Sequence, residues 1–151
     1  MKNKSSVIEP ILNAGFPINE TVREPRITAL MLCASEGAAE ATQLVLQYQP
    51  DLNARDTCNR TALHYACKGG HLEIVKLFFD LPNIRRFVDL RTDGGDTPLM
   101  MAVQSGNPQV VGACLNIGCN PFLVNKLQQG PVDYASQFPA VLGQNLQHLV
   151  F

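Results

Sequence analysis

No stretch of this chain approaches the ~18 consecutive apolar residues of a membrane-spanning helix, so no membrane partner is expected. The opening Met-Lys-Asn-Lys-Ser-Ser carries positive charge, but no apolar run follows it, which argues against a secretory leader. Net charge is only -1, with 17% of residues charged. No bulk field therefore pulls the protein toward nucleic acid or anionic lipid. Signatures of chemistry are missing as well. There is no Gly-x-Ser-x-Gly, phosphate-binding loop or dinucleotide fingerprint. The histidines and cysteines show no metal-ligand spacing, and no Cys-x-x-Cys occurs. Asp93-Gly-Gly-Asp96 lacks the further carboxylates of a cation loop. These absences argue against an enzyme, and no metal or cofactor is expected. Five cysteines, an odd number, suit free thiols in a reducing compartment, the cytoplasm and/or nucleus.

What is present is an apolar share of 46%, enough for a core, and a repeating pattern. Residues 59–75 read as a turn, a short helix, a Gly-Gly break and a second helix. Thr61 caps the first helix through its hydroxyl, and Leu63, Ala66 and Cys67 share one face. Gly69-Gly70 ends it, since glycine takes the left-handed conformation at little cost. The second helix carries so wide an apolar arc, from Leu72 to Phe79, that it expects cover from both neighbours.

Copies of this unit supply that cover. Thr28-Ala-Leu-Met-Leu-Cys-Ala-Ser-Glu-Gly37 lies 33 residues before Thr61-Ala-Leu-His-Tyr-Ala-Cys-Lys-Gly-Gly70. Thr97-Pro-Leu-Met-Met-Ala-Val-Gln-Ser-Gly106 lies 36 residues after it, and Gly130-Pro-Val-Asp-Tyr-Ala135 another 33 on. A period near 33 with a Thr-Pro-Leu-His-x-Ala core resembles the ankyrin-repeat family. The resemblance implies an all-α solenoid of helix-turn-helix repeats joined by β-hairpin-like loops. Its motif residues, here Thr61, Leu63, His64, Ala66, Gly70, His71, Thr97, Pro98 and Leu99, hold repeats together. His64 and His71 are expected to hydrogen-bond backbone between repeats.

Chain organisation follows from the period. Residues 1–19 are expected to form an N-terminal half-repeat cap around Val7, Ile8, Ile11 and Leu12. Repeats are expected over 20–53, 54–89, 90–121 and 122–151, all in one domain. The last should hold a helix broken by Pro139 and a wetter capping helix through Leu149 and Val150. Arg26 stands where a hairpin glycine or asparagine is usual, so the hairpin before Thr28 is not expected to form as the others do. The second repeat carries three extra residues within Asp80-Leu-Pro-Asn-Ile-Arg-Arg-Phe87, which should swell the loop after Pro82.

The resemblance further implies that a protein or peptide partner binds a concave face of hairpin tips and first helices. Carried over by position, the candidates are Arg60, Tyr65, Lys68, Asp93, Asp96, Met101, Gln104, Lys126 and Tyr134, with Glu24 at an earlier tip. Charges alternate in sign from repeat to repeat, which suits a mixed-charge partner better than a duplex. Leu32, Tyr65, Met101 and Tyr134 occupy equivalent places and form either a groove stripe or core. Arg85 and Arg86, with Arg91 close in sequence, make a second candidate site, a basic loop for an acidic segment or phosphate. Asn53 is of the hairpin type that asparaginyl hydroxylases modify. A monomer is expected. A stoichiometric inhibitor of an enzyme such as a kinase is the alternative role.

Overall fold

The computed structural model describes residue 15, residues 17–21 and residues 25–146. The expected cap helix at residues 7–12, Glu24, His148, Leu149 and Val150 lie outside them.

Each Thr-led motif begins a helix for a local reason. Thr28 and Thr97 have extended backbones, and their hydroxyls accept from the Met31 and Met100 amides at 3.2 and 3.4 Å. These bonds satisfy amides left orphaned at a helix start. The resulting helices are α1 (Ala29–Ser35), α3 (Ala62–Lys68), α5 (Pro98–Ser105) and α7 (Pro131–Ala135). Left-handed residues close the turns that follow, at Gly37, Gly70 and Gly106. Partner helices then run back: α2 (Ala39–Leu46), α4 (Leu72–Phe79), α6 (Pro108–Ile117) and α8 (Pro139–Val141). Pro139 opens α8 rather than breaking α7, as proline suits a first helical position. A five-residue π turn, Leu142–Leu146, continues α8.

Helices α1, α3, α5 and α7 pack in one row, and α2, α4, α6 and α8 in a second. The rows hide each other's apolar faces. Leu30, Leu63, Ala66, Leu99, Ala102 and Ala135 are buried from the first row, and Val45, Ile74, Val75, Phe78, Val110 and Val111 from the second. Helix α4 does keep a wet side, through exposed Glu73 and Lys76. Cys33 and Cys67 lie inward as small apolar side chains, and Cys67 Sγ is 3.6 Å from Cys114 Sγ.

Hairpin-like loops join the pairs and stack on one another through backbone. Thr57 N–H donates to Pro25 O, Asp93 N–H to Cys58 O and Lys126 N–H to Gly94 O, each at 2.9–3.0 Å. The turn residues Asn59, Gly95 and Gln128 have positive φ. So does Arg26, at 63°, and an antiparallel bridge joins Thr21 to Thr28. The described part of this first loop is therefore held by pairing at both its base and Pro25 despite its arginine. The bridge and the Thr57 bond offset the cost of a left-handed non-glycine residue.

Candidate functional site

Two of the hairpins are each built on one buried polar residue, Asp56 and Asn125. Asp56 Oδ1 accepts from the amides of Cys58 (2.9 Å) and Arg60 (2.8 Å), which winds the chain into its turn. Its Oδ2 accepts from Arg60 Nε at 2.7 Å and the Tyr65 hydroxyl at 2.5 Å. Burial alone would raise the Asp56 carboxyl. The bonds from Tyr65, Arg60 and Cys58 outweigh it and hold the group below its ordinary value. Burial and the same bond to Asp56 push the Tyr65 hydroxyl up to about 12. Arg60 lies over the Tyr65 ring, 4.8 Å from its centroid.

Asn125 does the same work two hairpins later. Its Oδ1 accepts from Leu127 and Gln129 amides at 2.9 and 3.0 Å, and its Nδ2 donates to Asp96 Oδ1 (2.9 Å) and to the Tyr134 hydroxyl (2.8 Å). Tyr134 in turn lies 3.3 Å from Gln129 Oε1 and 3.4 Å from Asp96 Oδ1. In the intervening hairpin, Thr92 Oγ1 accepts from Asp96 N–H at 3.1 Å. Asp56 is readable from sequence only as the start of a turn, and Thr92 and Asn125 do not stand out at all. Their signal was a polar residue five positions before Thr61, Thr97 and Gly130.

A prediction arises directly. Asp56→Ala should cost about 2 kcal/mol in urea unfolding, because buried amides lose their acceptor. Asp56→Asn should cost less, since Asn125 shows that an amide oxygen can wind the same turn. Equal losses for the two would refute the role assigned to Oδ1.

The row of equivalent first-helix residues is not uniform. Leu32 is 55% exposed, Tyr65 and Tyr134 are half-buried, and Met101 is buried at 7%. Met101 therefore offers a partner almost no surface. It lacks a polar end to hold it outward, whereas the hairpin polar groups draw the tyrosines toward the tips. Among the other candidates, Lys68, Asp93 and Lys126 are exposed. Among the described residues their side chains make no hydrogen bond or ion pair. Gln104 is half-buried on the same row of helices. Arg60 and Asp96 are committed to Asp56 and to Asn125, and so serve the hairpins first.

Both motif histidines tie one helix pair to another. His64 Nδ1 accepts from the Thr61 amide at 3.1 Å, and its Nε2 lies 3.2 Å from Asp96 O. The ring is therefore the neutral tautomer that donates from Nε2. His71 Nε2 lies 3.2 Å from Ser35 O. Its ring fits because two neighbours are glycine. A Cβ on Gly37 would meet the ring at 2.7 Å, and one on Gly69 would come closer still. Asn107, ten residues after Thr97 as His71 is after Thr61, donates from Nδ2 to Gly70 O at 3.2 Å.

At the enlarged loop, Asn83 has a left-handed φ of 63° and leads into a 3-10 turn, Ile84–Arg86. Ile84 and Val88 are buried and pin the loop to the core. Arg85 and Arg86 are exposed. Arg91 does not join them; its guanidinium donates to Val124 O at 3.1 Å and ties the hairpin bases together. Asn53 is exposed, and its Oδ1 accepts from Arg55 Nε at 3.2 Å. Among the described residues, no three His, Cys, Asp or Glu side chains group as metal ligands, and no helix is long and apolar enough to cross a membrane.

Comparison with known proteins agrees with this architecture. The chain is 24% identical over 137 residues to human NF-kappa-B inhibitor zeta, covering 87% of this chain and 19% of that protein. It is 34% identical over 88 residues to mouse Rabankyrin-5, covering 58% of this chain and 7% of the relative. Identity to the mouse mitochondrial liver isoform of glutaminase is 33% over 90 residues, or 60% of this chain and 15% of that one. The chain thus spans about a fifth or less of the length of these relatives. A family model described as ankyrin repeats (3 copies) matches residues 1–87 and 30–125. With stacked helix pairs, hairpin ladder and interlocking histidines in place, the chain belongs to the ankyrin-repeat family.

Proposed function

We propose that this chain is a non-catalytic module that binds a protein or peptide across its hairpin tips and first helices. Ankyrin repeats are generally protein–protein interaction modules and are typically non-catalytic. The observation that carries the reading is the pair Tyr65 and Tyr134. Each is half-exposed, and each is fixed by its hydroxyl beneath a hairpin. Aromatic rings held this way lose little freedom on binding, and such rings dominate interface energies. Uncommitted Lys68, Asp93 and Lys126 are exposed on the same first helices and hairpins and supply both signs of charge, which sets register for a mixed-charge partner. The reading assigns no nucleic acid and no membrane, and a monomer acting in the cytoplasm and/or nucleus.

Partners recovered by affinity purification should be lost from a Tyr65→Ala, Tyr134→Ala variant. Because those changes also loosen hairpins, Lys68→Glu with Lys126→Glu is the cleaner pair. It should weaken the same partner at least about tenfold while leaving unfolding unchanged, the equivalent of about 1.4 kcal/mol. Unaltered affinity in both variants would overturn the assignment of this face. The alternative role is that of a stoichiometric inhibitor or regulator of an enzyme such as a kinase; one relative is named as an inhibitor, of NF-kappa-B. Loss of a captured enzyme's activity on mixing is its test.

A further inference from the structure

The enlarged loop forms one wall of a recess. A cavity of about 700 Å³ opens between the ends of α4 and α6 and the enlarged loop. Phe79, Leu81, Ile84 and Ile117 give it an apolar lining, while Arg85, Arg86, Asn83 and Asn116 supply its polar groups. No carboxylate lines it. Among the described residues, neither arginine side chain has a hydrogen-bonding or ionic partner. The three-residue insertion is what makes this wall. The left-handed Asn83 turns the chain, Ile84 anchors it inward, and the two guanidiniums that follow are left at the surface.

We infer that this recess binds an acidic peptide segment bearing one aliphatic or aromatic anchor. The anchor enters between Phe79, Leu81 and Ile117. Flanking carboxylates pair with Arg85 and Arg86, for which a planar guanidinium is a bidentate donor. The Asn83 and Asn116 amides can both donate to and accept from an extended backbone. Volume supports a peptide side chain with its backbone, since small-ligand sites begin near ~300 Å³ and mix apolar walls with few polar groups. Charge decides the sign of the ligand: every ionised group in the lining is cationic. The site is separate from the tyrosine-bearing face and stands or falls without it.

The arginines have a competing structural use, since cations near helix C-termini stabilise the carbonyl end of α4. The experiment separates the two. Fluorescein-labelled peptides Glu-Glu-Leu-Phe-Glu-Asp, the same peptide with Gln and Asn for its acids, and one with Gly for Leu-Phe are titrated against the full chain. Saturable binding is expected for the first only, with amide NMR shifts concentrated at residues 79–86 and 116–117. Arg85→Glu with Arg86→Glu should weaken it at least tenfold, and Arg85→Ala with Arg86→Ala by less. Tyr65→Phe should leave it unchanged. Absence of saturation at millimolar peptide would overturn the proposal. So would equal binding of the three peptides, shifts on the first-helix face, or Arg variants that lose thermal stability but keep affinity. Anionic vesicles or an oligonucleotide competing for the same shifts in place of the acidic peptide would also overturn it.

Discussion

Acidifying the protein from about pH 7.5 to about pH 4.5 is expected to lower its unfolding free energy by about 2 to 3 kcal/mol, chiefly through His64. Burial is the main cause. It pushes the imidazole from 6.5 down to about 4, with Arg55 adding to the effect and the Asp96 carbonyl and Asp56 opposing it. Only a neutral ring can take the Thr61 amide at Nδ1 while Nε2 donates to Asp96 O. Between about pH 6.5 and pH 4 the unfolded chain binds a proton at this histidine and the folded chain does not. Stability therefore rises with pH across that window and is lost as pH falls through it. Asp56 acts lower down. Its folded carboxyl titrates below 3.8, so its contribution is present above that value and fades as pH falls further. Tyr65 acts at the other extreme. Its raised value means that its contribution holds below 10 and is lost as pH climbs toward about 12. Urea unfolding across the acid window should show the slope in wild type and a flatter line in His64→Gln, which starts less stable at neutral pH. His71 is present in both proteins, so the difference isolates His64. An imidazole resonance of His64 titrating near 6.5, or the same slope in the variant, would refute the account.

Those features also show where sequence suffices and where it stops. Helix starts at Thr28 and Thr97 and the turns at Gly37, Gly70 and Gly106 were legible because capping and left-handed backbone are local properties. The inter-repeat bonds of His64 and His71 were expected only from the resemblance to the ankyrin-repeat family, since nothing local to either residue points to a partner in another repeat. Arg26 was not legible, because its left-handed backbone is imposed by the Thr21 bridge and the neighbouring hairpin, against the preference of the residue itself. The row at Leu32, Tyr65, Met101 and Tyr134 is equivalent by spacing yet ranges from exposed to buried. What separates its members is the polar end of each tyrosine and the presence of Asp56 or Asn125 to receive it. Partners of that kind lie nine residues before each tyrosine and across a hairpin, so helical periodicity does not reveal them.

Leu99→Ala should cost about 2–5 kcal/mol. The side chain is fully buried in α5, which packs against α3 on one side and α7 on the other. Removing it empties space that two interfaces share, and helices held from both sides collapse poorly into a void. Against a total of about 5–15 kcal/mol, that loss takes a large share of the stability of the protein. Its form should be as informative as its size. In a stack, stability is a sum of unit terms and nearest-neighbour terms, so damage at a central interface weakens coupling between the two ends. Urea unfolding of Leu99→Ala should then show a lower midpoint and a shallower transition, since fewer residues unfold together. Leu99→Met keeps the volume and should cost under about 1.5 kcal/mol, with the steepness of wild type. A loss below about 1 kcal/mol for Leu99→Ala would mean the side chain does not fill a shared interface. A large loss with unchanged steepness would mean the chain behaves as one globule, and the neighbour-only account of its cohesion would have to be abandoned.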